Sequence, residues 1–461
     1  MTKTIAARAL AAALAIPALA QAMPSDSAIR QTLQHRVEKQ YWATGIVVGI
    51  TTPDGHRIIA YGTTQKDGTH KVDGNTVYDV GSLTKVFTAL ALADMTAHGD
   101  VSLDDPVAKY LPPGTKLPQD GARQITLADL ATHTAGLPLR PNNLVPGDPD
   151  NKYAGYTTAL LYQFLAGTAA HGIGTTYEYS NVGFGLLGDA LAHRANMPYR
   201  DLIAARVLSP LHLSDTGFTA TADMQRREAA GYSIDLKPLP HWDMGALESA
   251  GGLRSTANDL LKFLDVALGR TKSPLAPAFA ALTQTRRPGG MQPATAIALA
   301  WNIYDDKDRE IVWKNGNVGG YRAFMGYDAK AKIGVVALAN VVTGTGADDI
   351  GLNILDPNIT VDMHVPRVHT EISIDSSLLD RYVGHYRFGP TDILAVTREG
   401  DHLYLQPAPN MDKLEVYPEG PRDFFMKVTD IQVTFETAAD GTVTGAIWHQ
   451  DGQDQHGDRM P

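Results

Sequence analysis

The stretch YDVGSLTK, Tyr78 to Lys85, joins two kinds of pattern. Up to Gly81 it reads as the end of an extended segment. From Leu83 to His98 the residues are good helix formers, and Gly99 is a natural stop. Ser82 therefore stands at a strand-to-helix junction, where a serine commonly caps the helix by accepting a backbone N–H. Lys85 follows three residues later, which at the start of a helix puts both side chains on one face, one turn apart. An amine beside a serine hydroxyl can take up its proton, provided the lysine's own positive charge is disfavoured locally. The spacing leaves both readings open: a cap with a surface lysine, or a nucleophile with its base.

Outward from this junction the chain divides. Upstream, SAIRQTLQHRVEKQYW reads as a short helix, and GIVVGITTPDGHRIIAYG as two strands joined at Pro53-Asp54-Gly55. Downstream, ITLADLATHTAGLP, SNVGFGLLGDALAHRAN and SAGGLRSTANDLLKFLDVAL read as helices and turns. Strand patterns return in AIALAWNIYD, REIVWKNG, YRAFMGYD and KIGVVALANV. Strands at both ends with helices between predict one sheet assembled from both ends, with a separate helical lobe. This is an α/β (α+β) body, and no G-x-G-x-x-G follows a strand. HVPRVHTEISID, residues 364–375, lacks periodicity and reads as a linker. Short alternating segments separated by turns fill residues 376–461 and predict a small all-β, barrel-like domain.

A chain of 461 residues is long enough for two domains. Apolar content of 44%, charged content of 20% and a net charge of -10 without a basic run fit a soluble protein and argue against nucleic-acid binding. Residues 1–22 carry Lys3 and Arg8, then an Ala/Leu-rich run ending Ala20-Gln21-Ala22, which predicts a secretion signal cleaved after Ala22 and a periplasmic or secreted protein. The body is then residues 23–363. No later stretch reaches the ~20 apolar residues of a membrane span. The absence of cysteine removes disulfides, thiol catalysis and thiolate metal sites.

Two more elements could serve a serine nucleophile. Tyr179-Ser180-Asn181 is the one Tyr-x-Asn in the chain, at a loop-to-helix junction. A tyrosine is a poor base unless cations lower its pKa, which two lysines could do, and Asn181 offers a donor and an acceptor to a substrate amide. Lys314-Asn315-Gly316 ends a strand. A lysine there can hold a substrate carboxylate, Gly316 leaves room for a substrate along the strand, and the Asn317 and Ser82 N–H groups could form an oxyanion hole. Lys-x-Gly also occurs at Lys66 and Lys332, but only Lys314 leads into a Gly-Gly strand opening. His133, in a turn before Gly136, reads as structural rather than as the base.

Ser-x-x-Lys, Tyr-x-Asn and Lys-x-Gly, in that order, resemble the penicillin-recognising serine hydrolases. The middle motif resembles the class C β-lactamase branch, with its D-alanyl-D-alanine carboxypeptidase and esterase relatives. The likeness runs from about Ser27 to Val342, and the C-terminal segment resembles the lipocalin-like domain of some members. The resemblance implies a β-lactamase/transpeptidase-like fold with an antiparallel sheet, and no metal or cofactor. It implies Ser82 as acylated nucleophile, Lys85 as its partner, Tyr179 as proton shuttle, Asn181 on the substrate amide and Lys314 on the carboxylate. The substrate would be a β-lactam or a peptidoglycan stem peptide. A carboxylesterase, or a penicillin-binding sensor with little turnover, is the alternative. Two departures stand out. Asn315 replaces the usual threonine. Arg140 stands where β-lactamases carry a glutamine, and reads as a cationic rim for an acidic substrate, with Arg322 a comparable candidate.

Overall fold

The structure is a computed structural model that describes residues 23–145, 147–306, 309–343, 346–365, 369–389, 392–407, 413–427, 431–450 and 453–461. The expected secretion signal, residues 1–22, and part of the expected linker, residues 366–368, lie outside the described residues. Among the described residues no helix is long and apolar enough to cross a membrane.

The first hairpin is β1 (Gly45–Thr52) and β2 (Gly55–Gly62), turning at Pro53-Asp54. Then come β3 (Val77–Asp79) and β4 (Arg254–Thr256), which pair with each other as a separate two-stranded sheet. The remaining body strands are β5 (Arg287–Pro288), β6 (Ala296–Ile297), β7 (Asn302–Asp306), β8 (Arg309–Val318), β9 (Tyr321–Asp328) and β10 (Ile333–Ala339). They join the hairpin in an eight-stranded antiparallel sheet ordered β2-β1-β10-β9-β8-β7-β6-β5. The β1–β10 pairing, with Ile46 opposite Ala339, closes the sheet from both ends of the body, as expected.

Both faces of this sheet are covered. Ile46, Val48 and Ile50 pack with Leu33 and Ile350 from the helices Asp26–Glu38 and Asp348–Leu355. Val47, Val336 and Leu338 pack with the cluster that includes the helices Thr84–Ala97 and Ala257–Ala267. Two covered faces explain why GIVVGITT shows no polar–apolar alternation, although its pairing is antiparallel. The AIALAWNIYD pattern, expected as one strand, is split into β6 and β7, with Ala300 at φ 66° between them.

The C-terminal segment forms a closed barrel of eight strands. They are β11 (Gly384–Arg387), β12 (Ile393–Glu399), β13 (His402–Gln406), β14 (Leu414–Pro418), β15 (Asp423–Phe425), β16 (Ile431–Thr437), β17 (Val443–Gln450) and β18 (Gln453–Arg459). Pairing of Tyr386 with Arg459 closes it. Its interior is filled by Tyr386, Leu405, Phe424, Val433 and Phe435. Part of the expected linker is bound to the outside of the barrel. His369 stacks on Phe425 at 4.6 Å, and the Ile372 N–H donates to the Pro418 carbonyl.

Candidate active site

The junction that opened the sequence reading resolves against capping. Residues Gly81–Leu83 form one 3₁₀ turn, and the following helix, Thr84–Ala97, has Leu83 at its N-cap with no side-chain cap. The Ser82 hydroxyl is thus not committed to the helix. Lys85 is fully buried, with Nζ 3.0 Å from Ser82 Oγ, 2.8 Å from Asn181 Oδ1 and 2.7 Å from the Ala250 carbonyl. Burial first, and then the neighbouring Lys314, hold this amine well below the ordinary lysine range. A neutral amine has two N–H groups and one lone pair. Asn181 and Ala250 accept the two N–H groups, and the lone pair then faces Ser82, whose O–H can donate to it.

Tyr179 is held by its neighbours on both sides. The Glu178 N–H donates to the His133 carbonyl at 2.7 Å, and the Ser180 N–H donates to His133 Nδ1 at 3.1 Å. The His133 ring lies 4.3 Å from that of Tyr179. Burial keeps His133 neutral, so it acts as a brace, matching the structural role expected of it. Lys85 and Lys314 approach the Tyr179 ring with Nζ 4.9 and 4.7 Å from its centroid. The expectation that two lysines lower the phenol's pKa is not met. Burial raises it, and a hydrogen bond with Ser82 pulls it back only in part. Tyr179 is therefore a phenol, able to donate a proton, rather than a resting phenolate.

Lys314 is buried and its amine is pushed down to about 7, chiefly by burial, with Asp348 opposing and Arg322 adding to the fall. On β8, successive side chains point to opposite faces. Asn315 accordingly points away from Lys314 and donates to Asp348 at 2.5 Å. Arg322 donates to both oxygens of the same carboxylate. Asn315 and Arg322 are thus tied to each other through Asp348, and Arg322, named with Arg140 as a cationic-rim candidate, is spent on a buried ion pair rather than on the cleft.

Gly316 is needed for a reason closer to the nucleophile than room for substrate. A Cβ there would sit 2.0 Å from the Val80 carbonyl and 3.1 Å from the Ser82 nitrogen. One at Gly81, which has φ +50°, would lie 3.1 Å from the Asn317 nitrogen. The two backbones meet at glycines, which brings the Ser82 and Asn317 N–H groups to one place. β7 pairs with residues 309–313 of β8, so among the described residues β8 from Lys314 onward has no strand partner on that side, and an extended substrate could pair there.

Arg140 is near enough to Lys152 and Tyr153 for its charge to act on both. Burial pushes Lys152 down to about 8, with the charge of Arg140 adding to the fall, whereas burial raises Tyr153, with the Asn181 hydrogen bond and then Arg140 opposing the rise. The Tyr153 hydroxyl accepts from Asn181 Nδ2 at 3.3 Å. Sequence reasoning missed Tyr153, Lys152, the Ala250 carbonyl and Asp348; SAGG, from Ser249, was the one quoted stretch that contained any of them. Among the described residues, Asp79, Glu228 and His241 are near enough to one another to hold a metal. However, Arg254 Nε lies 2.9 Å from Asp79 and 3.2 Å from Glu228, and hydrogen bonds to the two carboxylates raise His241 to about 9. Two cations already balance two carboxylates, so this is an ion cluster rather than a metal seat.

Residues 28–356 match the family model described as Beta-lactamase, and residues 369–459 match a domain of unknown function, DUF3471. The D-alanyl-D-alanine-carboxypeptidase/endopeptidase AmpH of Escherichia coli (strain K12) is 28% identical over 307 residues, 63% of this chain and 78% of the relative. A class C beta lactamase structure from Rhodobacter sphaeroides is 26% identical, with a TM-score of 0.61 over 72% of this chain and 99% of that one. The octameric penicillin-binding protein homologue from Pyrococcus abyssi, 21% identical, shares the fold over 94% of this chain and 100% of its own, with a TM-score of 0.63. With more than two thirds of its length in that model and a serine–lysine–tyrosine cluster, its lysine buried, where the motifs meet, this chain belongs to the β-lactamase family of penicillin-recognising serine hydrolases.

Proposed function

We propose that the protein is an exported serine hydrolase working through an acyl-serine intermediate on D-alanyl-D-alanine peptides and on the β-lactams that resemble them. In both, a reacting carbonyl precedes a carboxylate. The observation that carries this reading is Lys85 Nζ, 3.0 Å from Ser82 Oγ and held as a free amine by burial. Ser82 Oγ attacks the carbonyl while its proton passes to Lys85. The Ser82 and Asn317 N–H groups receive the developing oxyanion. Tyr179 gives its phenol proton to the leaving nitrogen as the C–N bond breaks, and is reprotonated from Lys85. Asn181 holds the substrate amide, and Lys314, running along β8 beside Gly316, faces the carboxylate. Arg140, with Lys152, adds positive charge at the rim for an acidic peptide. Water then attacks the ester, releasing the acid and restoring Ser82. Residues 1–22 would direct export, and residues 364–375 would lead from the hydrolase body into the barrel domain.

The test is incubation of the protein with a chromogenic cephalosporin, a diacetylated D-Ala-D-Ala peptide and a p-nitrophenyl ester, followed by intact mass. An acyl adduct on Ser82 that is absent in Ser82→Ala is the expected result. Full activity of Ser82→Ala on all three would refute the mechanism.

A further inference from the structure

Beyond Asn317, a cleft of about 650 Å³ opens between the body and the barrel. One wall is the loop from Ser233 to Leu239 with Val342 and Thr343; the other carries Tyr417 and Lys427 of the barrel. On β14 the buried side chain of Val416 faces the barrel interior, so Tyr417 faces outward, into the cleft. Lys427 lies 3.4 Å above the Tyr417 ring and is paired with Glu371 at 2.6 Å. Glu371 is held in turn where the chain is bound to the barrel, at Ile372.

The direction of a substrate along β8 decides what this cleft receives. With the carboxylate at Lys314 and the reacting carbonyl at Ser82 and Asn317, the acyl portion must continue past Asn317, away from Lys314. That path leads into the cleft. Its wall also holds an unmet hydrogen-bonding group: Thr343 is 3% exposed, and its Oγ1 has no partner among the described residues. Asp150, Asp235 and Lys237 are exposed at the mouth, where water screens them. Lys427, with a side chain 28% exposed, is the better sheltered charge, and Glu371 takes one of its three donors.

We propose that the barrel closes the acyl side of the active site, and that Lys427, seated on Tyr417, selects peptide acyl donors whose side chain carries a carboxylate. This deepens the acyl-enzyme reading and rests on it for the orientation of the substrate. Thr343 would donate to a backbone carbonyl of the same donor. The aromatic face and the ion pair with Glu371 keep the ammonium in place before the ligand arrives.

The experiment uses full-length protein carrying Ser82→Ala, which binds without turnover. N-acetyl tripeptides ending in D-Ala-D-Ala, with glutamate, alanine or lysine as the first residue, are titrated by NMR. The glutamyl peptide is expected to bind about fivefold more tightly than the alanyl one, and the lysyl peptide most weakly, as for a partly sheltered ion pair. Adding Lys427→Gln should bring the three within about twofold, while Lys427→Arg should keep the order. The same ratios with and without Lys427→Gln would overturn the assignment, and because ratios are compared, a general loss of affinity does not mimic the effect. In parallel, wild-type protein is treated with the p-nitrophenyl ester. Absence of both a Ser82 adduct and Ser82-dependent release of p-nitrophenol there would refute the acyl-enzyme reading separately, since the binding ratios do not depend on acylation.

Discussion

Replacing Lys314 with methionine should stabilise the protein and impair it at the same time. In the unfolded chain this amine keeps its proton up to 10.5; in the folded protein it loses it at about 7. Between those values the unfolded chain binds more protons, so the lysine's cost is full below about 7 and disappears as pH rises towards 10.5. The difference corresponds to about 4 kcal/mol at pH 7 and about 1 kcal/mol at pH 10. Methionine fills nearly the same volume without a charge but gives up the contact with the Tyr179 ring, about 1 kcal/mol. Lys314→Met should therefore be more stable than the parent by about 3 kcal/mol at pH 7 and by only about 1 kcal/mol at pH 10, where the neutral amine has no cation–π contact to lose. Urea unfolding at the two pH values measures this directly. The same variant should lose about 100-fold in kcat/KM on a D-Ala-D-Ala peptide, whose carboxylate loses its partner, and much less on an ester without a carboxylate. A variant less stable at pH 7, or a stability difference that does not change with pH, would refute the claim that Lys314 is held buried at a cost for the sake of binding.

Two further outcomes follow from the geometry. Gly316→Ala would press a methyl group against the Val80 carbonyl, so acylation by a chromogenic cephalosporin should fall by at least about 100-fold, with wild-type acylation rates counting against the proposed oxyanion hole. His241 has its folded pKa raised from 6.5 to about 9, so its stabilisation is full below 6.5 and is lost as pH rises through 9. Discounted for its one-third exposure, His241→Gln should cost about 1 kcal/mol at pH 6 and nothing at pH 10, as read from unfolding midpoints.

Much of this site is legible in the chain because acyl transfer needs particular groups, and each sits in a short local motif. Ser82 and Lys85 share one turn, Tyr179 and Asn181 flank one cap residue, and Lys314 and Gly316 lie on one face of one strand. Local spacing sets these relations before the chain folds. The groups that complete the site follow no such rule. The Ala250 carbonyl is 165 residues from the lysine it receives, and Tyr153 meets Asn181 across 28 residues with no motif joining them.

The protonation states were the least readable part. Two lysines beside a tyrosine suggest a lowered phenol pKa, yet desolvation outweighs their charge, and the lysines themselves become weaker bases. Asn315 likewise read as a substitute for a carboxylate-binding threonine, whereas the alternation of β8 delivers its amide to Asp348.

What the amino-acid sequence determined by itself was the family, the two-part architecture with its terminal barrel, and the order of the motif residues, since these depend on local pattern and spacing. Only the tertiary structure decided which groups lose their water, which way each side chain faces, and that Tyr417 and Lys427 stand across a cleft from Asn317. Burial and long-range packing set those features, and neither is encoded within one turn or one strand.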